Sequence, residues 1–117
     1  DYTVLYTLQF RGMEPEYADK IAVGDTVVEA AKRFNLGTVT AVSTEPYVKD
    51  VYDEATGEMV AATHPDNITM NVTLTADGYY ADGSYYINGS RVAVGVGISV
   101  HAKNFAGTGY VSAMRLK

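Results

Sequence analysis

Strict alternation of apolar and polar residues marks two segments of the chain as half-buried β-strands. The apolar residues at every second position are Val4, Tyr6, Leu8 and Phe10 in residues 3–10, and Ile68, Met70, Val72 and Leu74 in residues 68–75. Successive side chains of a strand point to opposite faces, so each segment has one face for a core. Threonine and valine, frequent here, suit a pleated surface. The pattern predicts an all-β, mainly antiparallel fold.

A sequence repeat relates the segments that follow these two strands. Residues 21–34 read IAVGDTVVEAAKRF, and residues 92–105 read VAVGVGISVHAKNF, in alignment without a gap. After one inserted residue, residues 37–42 align with residues 109–114. The repeat predicts an internal duplication within one domain, residues 1–117. The two predicted units cover approximately residues 3–45 and 68–116.

The repeat also decides how one ambiguous segment is interpreted. Residues 27–34 have a composition that suits a helix. Their partner, residues 98–102, alternates in the manner of a strand. Both segments are therefore predicted to be strands, followed by further strands at 37–44 and 109–116.

A hairpin is predicted between the two units, over residues 47–62 with Thr56 and Gly57 at its tip. One short helix is predicted over residues 16–20, because Pro15 suits the first helical position. Asp-Gly pairs predict a turn-rich stretch from residue 76 to 83. Six or more repeated strands with pseudo-two-fold symmetry favour a small closed β-barrel, since closure removes exposed edges. A β-sandwich is the alternative.

Charge and composition exclude several classes of function. The 117 residues include nine Lys and Arg and fourteen Asp and Glu, for a net charge of -5. Nucleic-acid binding requires a basic face that neutralises phosphates, and no basic cluster is present. The absence of cysteine excludes disulfides, thiol nucleophiles and zinc–cysteine sites. The chain contains no apolar stretch long enough to span a bilayer as a helix.

Tyrosine is the most unusual feature of the composition. The chain has ten tyrosines and no tryptophan, and four of the tyrosines lie within eight residues: Tyr79, Tyr80, Tyr85 and Tyr86. A tyrosine ring combines a rigid apolar surface with a polar tip, which suits a recognition surface. These four residues are the candidate ligand-binding site, for a sugar or a peptide. Alternate packing of the rings into the core is the structural alternative.

Residues that carry catalytic or metal chemistry are sparse. His101 lies on a predicted strand and His64 lies at the junction of the two units. No Gly-x-Ser-x-Gly motif is present to support a hydrolase triad. Asp77 and Asp82 recur with the Asp-Gly pairs, but their spacing does not match an EF-hand loop. We therefore predict no catalytic residues, no metal site and no cofactor, and leave a cation at the two aspartates open.

With these features in place, the chain resembles a bacterial family known as domain of unknown function 4330. The resemblance covers about residues 4–114. It is carried by Arg11-Gly12, Tyr17-Ala18-Asp19, Ile21-Ala22-Val23-Gly24-Asp25, Leu36-Gly37-Thr38-Val39, Val42, Pro46, Val72-Thr73-Leu74, Tyr86-Ile87-Asn88-Gly89 and Val94-Gly95. It implies a β domain on the extracytoplasmic face of a bacterial membrane, anchored by an N-terminal helix absent from this chain. It implies no reaction and no catalytic residues.

These observations predict a non-catalytic interaction or assembly domain of a membrane-anchored bacterial protein. Its expected partner is a protein or a component of the cell envelope, and an oligomer is possible. The alternative is a carbohydrate- or peptide-binding module that uses the tyrosine cluster. Binding by strand addition to an unpaired edge is one route to a partner. If the barrel closes fully, that route is lost, and the hairpin at 47–62 becomes the expected protrusion for a partner.

Overall fold

The computed structural model describes residues 2–117 and contains eight strands and one short helix. The strands are β1 (Tyr2–Met13), β2 (Thr26–Glu29), β3 (Asn35–Asp53), β4 (Glu58–Ala81), β5 (Ser84–Ile87), β6 (Ser90–Val92), β7 (Gly97–Ala102) and β8 (Phe105–Leu116). All pairings between neighbouring strands are antiparallel. The predicted all-β antiparallel class is confirmed.

The eight strands belong to one sheet that closes in a ring. The order of neighbours is β1, β8, β7, β2, β3 and β4, and β4 pairs in turn with β1. Strands β5 and β6 continue the sheet from the C-terminal end of β4, outside this ring. The strands therefore do not divide between two separate sheets, as the sandwich alternative requires.

Alternating apolar residues fill the inside of the ring. Every second residue of β1 from Val4 to Phe10 is buried, as are Met70, Val72 and Leu74 of β4. Among residues 2–117, Tyr6 is the one buried tyrosine, and its hydroxyl donates a hydrogen bond to the Leu36 carbonyl. That bond gives the hydroxyl a partner away from water, and burial raises the pKa of Tyr6.

Two strands are much longer than the pattern predicts. The predicted strand 37–44 and the first half of the predicted hairpin are one continuous strand, β3. Likewise, β4 runs from the second half of the hairpin through Asp77 and Gly78, where a turn was predicted. Only glycine fits at position 78, because the Cβ of any other residue would lie 2.2 Å from the Tyr86 carbonyl oxygen. Only the second Asp-Gly pair, Asp82 and Gly83, forms a turn.

Two local predictions need correction. The predicted helix 16–20 is a single 3-10 turn, Pro15–Asp19. The predicted strand 27–34 ends at Glu29, because residues 30–32 form a turn. Glu29 closes this turn: its carbonyl accepts from the Arg33 N–H, and its own N–H donates to the Phe34 carbonyl, each at 2.9 Å.

Hydrogen bonds at the aligned positions of the two predicted units match. The Gly24 N–H donates to the Val39 carbonyl at 2.9 Å, and the Gly95 N–H donates to the Val111 carbonyl at 2.8 Å. Each predicted unit also has a β-bulge whose side-chain hydroxyl donates to a backbone carbonyl of the paired residues Thr7 and Thr73. The two bulge bonds run from Thr40 Oγ1 to the Thr73 carbonyl at 3.3 Å and from Ser112 Oγ to the Thr7 carbonyl at 3.4 Å.

Candidate functional site

The ends of β3 and β4 leave the ring as a two-stranded arm, defined here as residues 47–64. Tyr47 pairs with His64 at the base, and Asp53 pairs with Glu58 at the tip. Each strand of the arm has seven paired residues, and at about 3.3 Å per residue the arm extends roughly 23 Å from the ring. The arm makes the molecule elongated, with extents of 54 × 33 × 25 Å. The radius of gyration is 15.8 Å, whereas a compact domain of this length has one of about 13 Å.

The arm is anchored at its base. Beyond the pair of Pro46 with Ile68, residues 65–67 bulge out of the ladder before pairing resumes at Tyr47. Asn67 Nδ2 donates to the Gly12 carbonyl at 2.7 Å, which ties the bulge to β1. Arg11 donates to the Val48 carbonyl at 3.2 Å and lies 5.7 Å from the centroid of the Tyr47 ring. These contacts fix the direction in which the arm leaves the ring.

Apolar side chains are exposed on both faces of the arm. Paired residues of antiparallel strands share a face. Tyr52 and Met59 are paired on one face, each 62% exposed, and Val51 and Val60 are paired on the other, each 39% exposed. No residue of the arm is buried. Within the described chain, the arm is therefore a hydrophobic ribbon covered on neither face.

The two long edges of the arm differ in charge. The β3 edge carries Lys49, Asp50 and Asp53, the kind of charged residues that discourage pairing with another strand. The β4 edge carries no charge from Met59 to Thr63. Strand β1 pairs with β4 only as far as Ile68, so residues 58–65 have no strand on that side in the described part of the chain.

Carboxylates lie at both ends of this uncharged edge. At the tip, Asp53 holds the turn, accepting from the Ala55 N–H at 2.9 Å through its side chain. Glu54 and Glu58 are exposed beside it. At the base, a notch of about 470 Å³ is lined by Glu14, Pro15, Glu16, Asp66 and Asn67. There, the pKa of Glu14 is raised, because its protonated carboxyl can donate a hydrogen bond to the carboxylate of Glu16 and because the negative charge of Glu16 lies nearby.

The four tyrosines predicted as a ligand site are divided between two faces of the β4–β5 hairpin. Tyr79 and Tyr86 stack with ring centroids 4.9 Å apart and planes 13° apart, and Tyr86 is paired with Arg91 of β6. Tyr80 and Tyr85 meet edge to face, also at 4.9 Å, on the other side. Tyr85 packs against the core. The four rings therefore do not form one continuous row.

The remaining candidates lie apart from one another. His101 is exposed and is paired with Val28, whereas His64 lies at the base of the arm beside Tyr47. Asp77 lies in β4 opposite Thr3, and Asp82 lies in the turn that follows β4. Within residues 2–117, no group of three or more His, Asp or Glu is positioned to hold a metal ion. In the same range, no helix is long and apolar enough to cross a bilayer.

A polar cleft of about 460 Å³ lies at the end of the ring away from the arm. It is lined by hydroxyls, amides and one carboxylate, from Thr3, Asn35, Gly37, Thr38, Thr75, Ala76, Asp77 and Asn88. Asn88 Nδ2 donates to the Asn35 carbonyl at 3.2 Å, closing one side. The lining can hydrogen-bond a polar ligand, but it contains no paired nucleophile and base.

Comparison with known proteins adds no relative to this description. The chain matches no family model, no curated protein and no solved structure. The arm, the tyrosines and the cleft are the features of the described residues that bear on function.

The exposed apolar residues of the arm were not predicted as a site, although the hairpin that carries them was. Val51 and Tyr52 are adjacent in the sequence, as are Met59 and Val60, so the arm lacks the strict alternation of the core-facing strands of the ring. A second signal is proline on both strands at the base, Pro46 and Pro65. Proline lacks the N–H needed for a continuous ladder, so it indicates where the closed sheet ends.

Proposed function

We propose that this protein is a non-catalytic interaction or assembly domain whose contact element is the arm. The observation that carries the proposal is the exposure of paired apolar side chains along a projecting hairpin. Exposed apolar surface is costly in water and marks contact sites in soluble proteins. The base contacts of Arg11 and Asn67 support this function, because an element held in one direction loses less entropy on binding.

The proposal includes the architecture and location of the domain. The ring is an internally duplicated, pseudo-two-fold small β-barrel. The matched bonds at Gly24 and Gly95, and at Thr40 and Ser112, support this description. The resemblance to domain of unknown function 4330 supports placing the domain on the extracytoplasmic face of a bacterial membrane, tethered by an N-terminal helix. The arm then meets a protein or another component of the cell envelope.

Site-specific photo-cross-linking in the cells that make the protein tests this function. A photoreactive amino acid replaces Tyr52 on the arm in one variant and Tyr110 on the ring in the other. The two positions form a matched pair, because their side chains are 62% and 54% exposed. We expect a discrete cross-linked product from position 52 and none from position 110.

No product from either position would contradict the proposed function, as would two other results. One is an equal product from both positions, which indicates nonspecific collision. The other is a product from position 110 alone, which moves the contact surface to the ring. A variant with residues 49–62 replaced by Asn-Gly serves as a second control, because it keeps the ring and lacks the ribbon.

The stacked pair of Tyr79 and Tyr86 supports a second candidate function, binding of a carbohydrate or a peptide. The two rings are nearly parallel, and Tyr79 is 40% exposed. Tyr86 is paired with Arg91, whose Nε donates to Ser84 Oγ at 2.9 Å. Changing Tyr79 and Tyr86 together to Ser tests this function against a panel of cell-wall glycans. Saturable binding that this variant loses supports the second candidate. Binding that the variant retains, or no binding in either protein, rules it out.

A further inference from the structure

We propose that the β4 edge of the arm, residues 58–65, binds an extended protein segment that is uncharged in its centre and cationic at both ends. The segment adds to the arm as a third strand. This inference rests on the proposed function, because it specifies the mode of contact and the chemistry of the partner.

The first argument is the state of this edge. Residues 59–63 read MVAAT, with no charge and no proline, and no described strand pairs with them on the outer side. An unpaired strand presents alternate N–H and C=O groups, which is a template for another strand. Within the ring, β2 pairs with β3 only as far as Thr38, so residues 40–46 of β3 also lack a strand on that side, but this stretch ends in Glu45 and Pro46. The outer edge of β6 is only three residues long. The β4 edge of the arm is therefore an open, uncharged and proline-free edge of the described chain.

The second argument is charge at the two ends of the edge. Glu58 and the exposed Glu54 lie at the tip, and Asp66 with the notch residues Glu14 and Glu16 lies at the base. A strand bound between them has its ends near carboxylates. Opposite charge at those ends is attractive, and like charge is repelled. The complementary segment carries Lys or Arg at each end and apolar or hydroxyl side chains between them.

The same charges disfavour a second copy of this chain as the occupant. Antiparallel pairing of two β4 edges about Ala61 would direct the acidic tip of one copy at the acidic notch of the other. Glu54 would then lie near Asp66 of a second copy, and each copy has a net charge of -5. Charge complementarity therefore favours a different chain.

Titration with defined peptides, followed by amide chemical shifts of the labelled protein, tests the inference. The probe is a blocked seven-residue peptide, five alternating valines and threonines with a lysine at each end. We expect shift changes confined to residues 58–65 and their β3 partners. The same peptide with glutamate at each end is expected to bind about tenfold more weakly, and raising the salt is expected to reduce this difference.

Backbone methylation separates strand addition from simple apolar contact. Alternate N–H groups of an added strand face the protein, so N-methylation of one alternate set of peptide residues is expected to abolish binding. Methylation of the other set is expected to leave the dissociation constant within about twofold of that of the unmethylated peptide. The double variant of Glu58→Gln and Asp66→Asn is expected to bind the lysine peptide about twofold to fivefold more weakly. Asp82→Asn, at the far hairpin, is the matched control and is expected to bind normally.

Four results would overturn the inference: no binding, shift changes elsewhere, equal loss from both methylated peptides, or self-association through residues 58–65 without peptide. Each of these leaves the cross-linking test at Tyr52 to be decided separately. A partner captured at Tyr52 with no peptide binding would mean that the apolar faces, not the edge, make the contact. No product at Tyr52 would remove the proposed function itself.

Discussion

The ring and the arm are built from the same two strands, β3 and β4, yet they obey different physical rules. In the ring, Val39 and Leu74 are paired and both are buried. In the arm, Val51 and Val60 are paired in the same ladder and both are exposed. Their side chains are equally apolar. The difference is that the ring strands curve round to face other strands, whereas the arm strands face water.

The comparison teaches where stability and binding reside in this molecule. Burial of apolar area in the ring supplies the free energy of folding. The arm has no buried residue, so it adds little to that free energy. The exposed apolar side chains of the arm are therefore available for a partner.

The largest expected effect is a cavity in the ring. Phe10 is buried and meets Phe105 edge to face, with ring centroids 5.1 Å apart. Phe10→Ala is expected to lower the free energy of unfolding by about 3–5 kcal/mol, since burial and packing are both lost. Tyr52→Ala on the arm is expected to change it by less than about 0.5 kcal/mol. Denaturant unfolding of both variants checks the contrast, and equal losses would contradict it.

A methyl group at Gly37 is expected to have the next largest effect. Gly37 has φ +123°, and an added Cβ would lie 2.3 Å from the Thr75 carbonyl oxygen in the neighbouring strand. Gly37→Ala is expected to cost about 2–4 kcal/mol through backbone strain and the steric clash. Gly24→Ala is the control, with φ +96° and open space around the added Cβ. Its cost of about 1 kcal/mol isolates the strain, and equal unfolding midpoints would show that the ring is not tight at Gly37.

The buried hydroxyl of Tyr6 predicts an alkaline limit to the stability of the ring. Burial raises the pKa of Tyr6 above its ordinary value of 10.0, so the unfolded chain loses the proton first. The contribution is fully present below about pH 10 and falls as the pH rises above it. Tyr6→Phe is expected to cost about 1–2 kcal/mol at about pH 8, because the Leu36 carbonyl loses its donor.

The same variant is expected to lose less stability than the wild type between about pH 8 and about pH 11. Urea unfolding at both pH values gives the comparison. Parallel losses in the two proteins would mean that other groups cause the alkaline sensitivity.

The smallest expected effect comes from removal of the arm. Replacing residues 49–62 with Asn-Gly keeps the base contacts of Arg11 and Asn67 and is expected to change the free energy of unfolding by less than about 0.5 kcal/mol. Hydrogen exchange of the intact protein gives an independent check. Amides of the arm are expected to exchange faster than those of Tyr6 and Leu74. A large drop in stability on trimming would show that the arm supports the ring.

Much of the ring was predictable because local pattern and burial agree there. The alternation in 3–10 and 68–75 placed Val4, Tyr6, Leu8 and Phe10 on the inner face, and they are buried. The boundaries were less predictable. Gly78 suggested a turn, yet it lies within β4. Glycine occupies this strand position because β5 lies too close for any side chain. Glu29 ends β2 through turn bonds that the repeat does not reveal.

The candidate site was only partly predictable. Four neighbouring tyrosines suggested one surface, but the alternation of a hairpin directs Tyr79 and Tyr86 to one face and Tyr80 and Tyr85 to the other. The hairpin at 47–62 was predicted as a protrusion, but its free edge was not assigned. The β4 edge is free because β1 stops pairing with β4 at Ile68. That pairing joins residues far apart in the sequence, so local pattern does not predict where it ends.

The sequence by itself determined the faces of the strands at 3–10 and 68–75, the turns at Thr56-Gly57 and Asp82-Gly83, and the acidic balance of the chain, since these depend on residue type and local spacing. Only the tertiary structure decided which apolar faces are covered. Val39 and Val51 look alike in sequence, and ring closure buries the first while the bulge at residues 65–67 lets the second project into water. Burial depends on contacts between residues far apart in the chain, and those contacts also leave one edge of β4 without a partner.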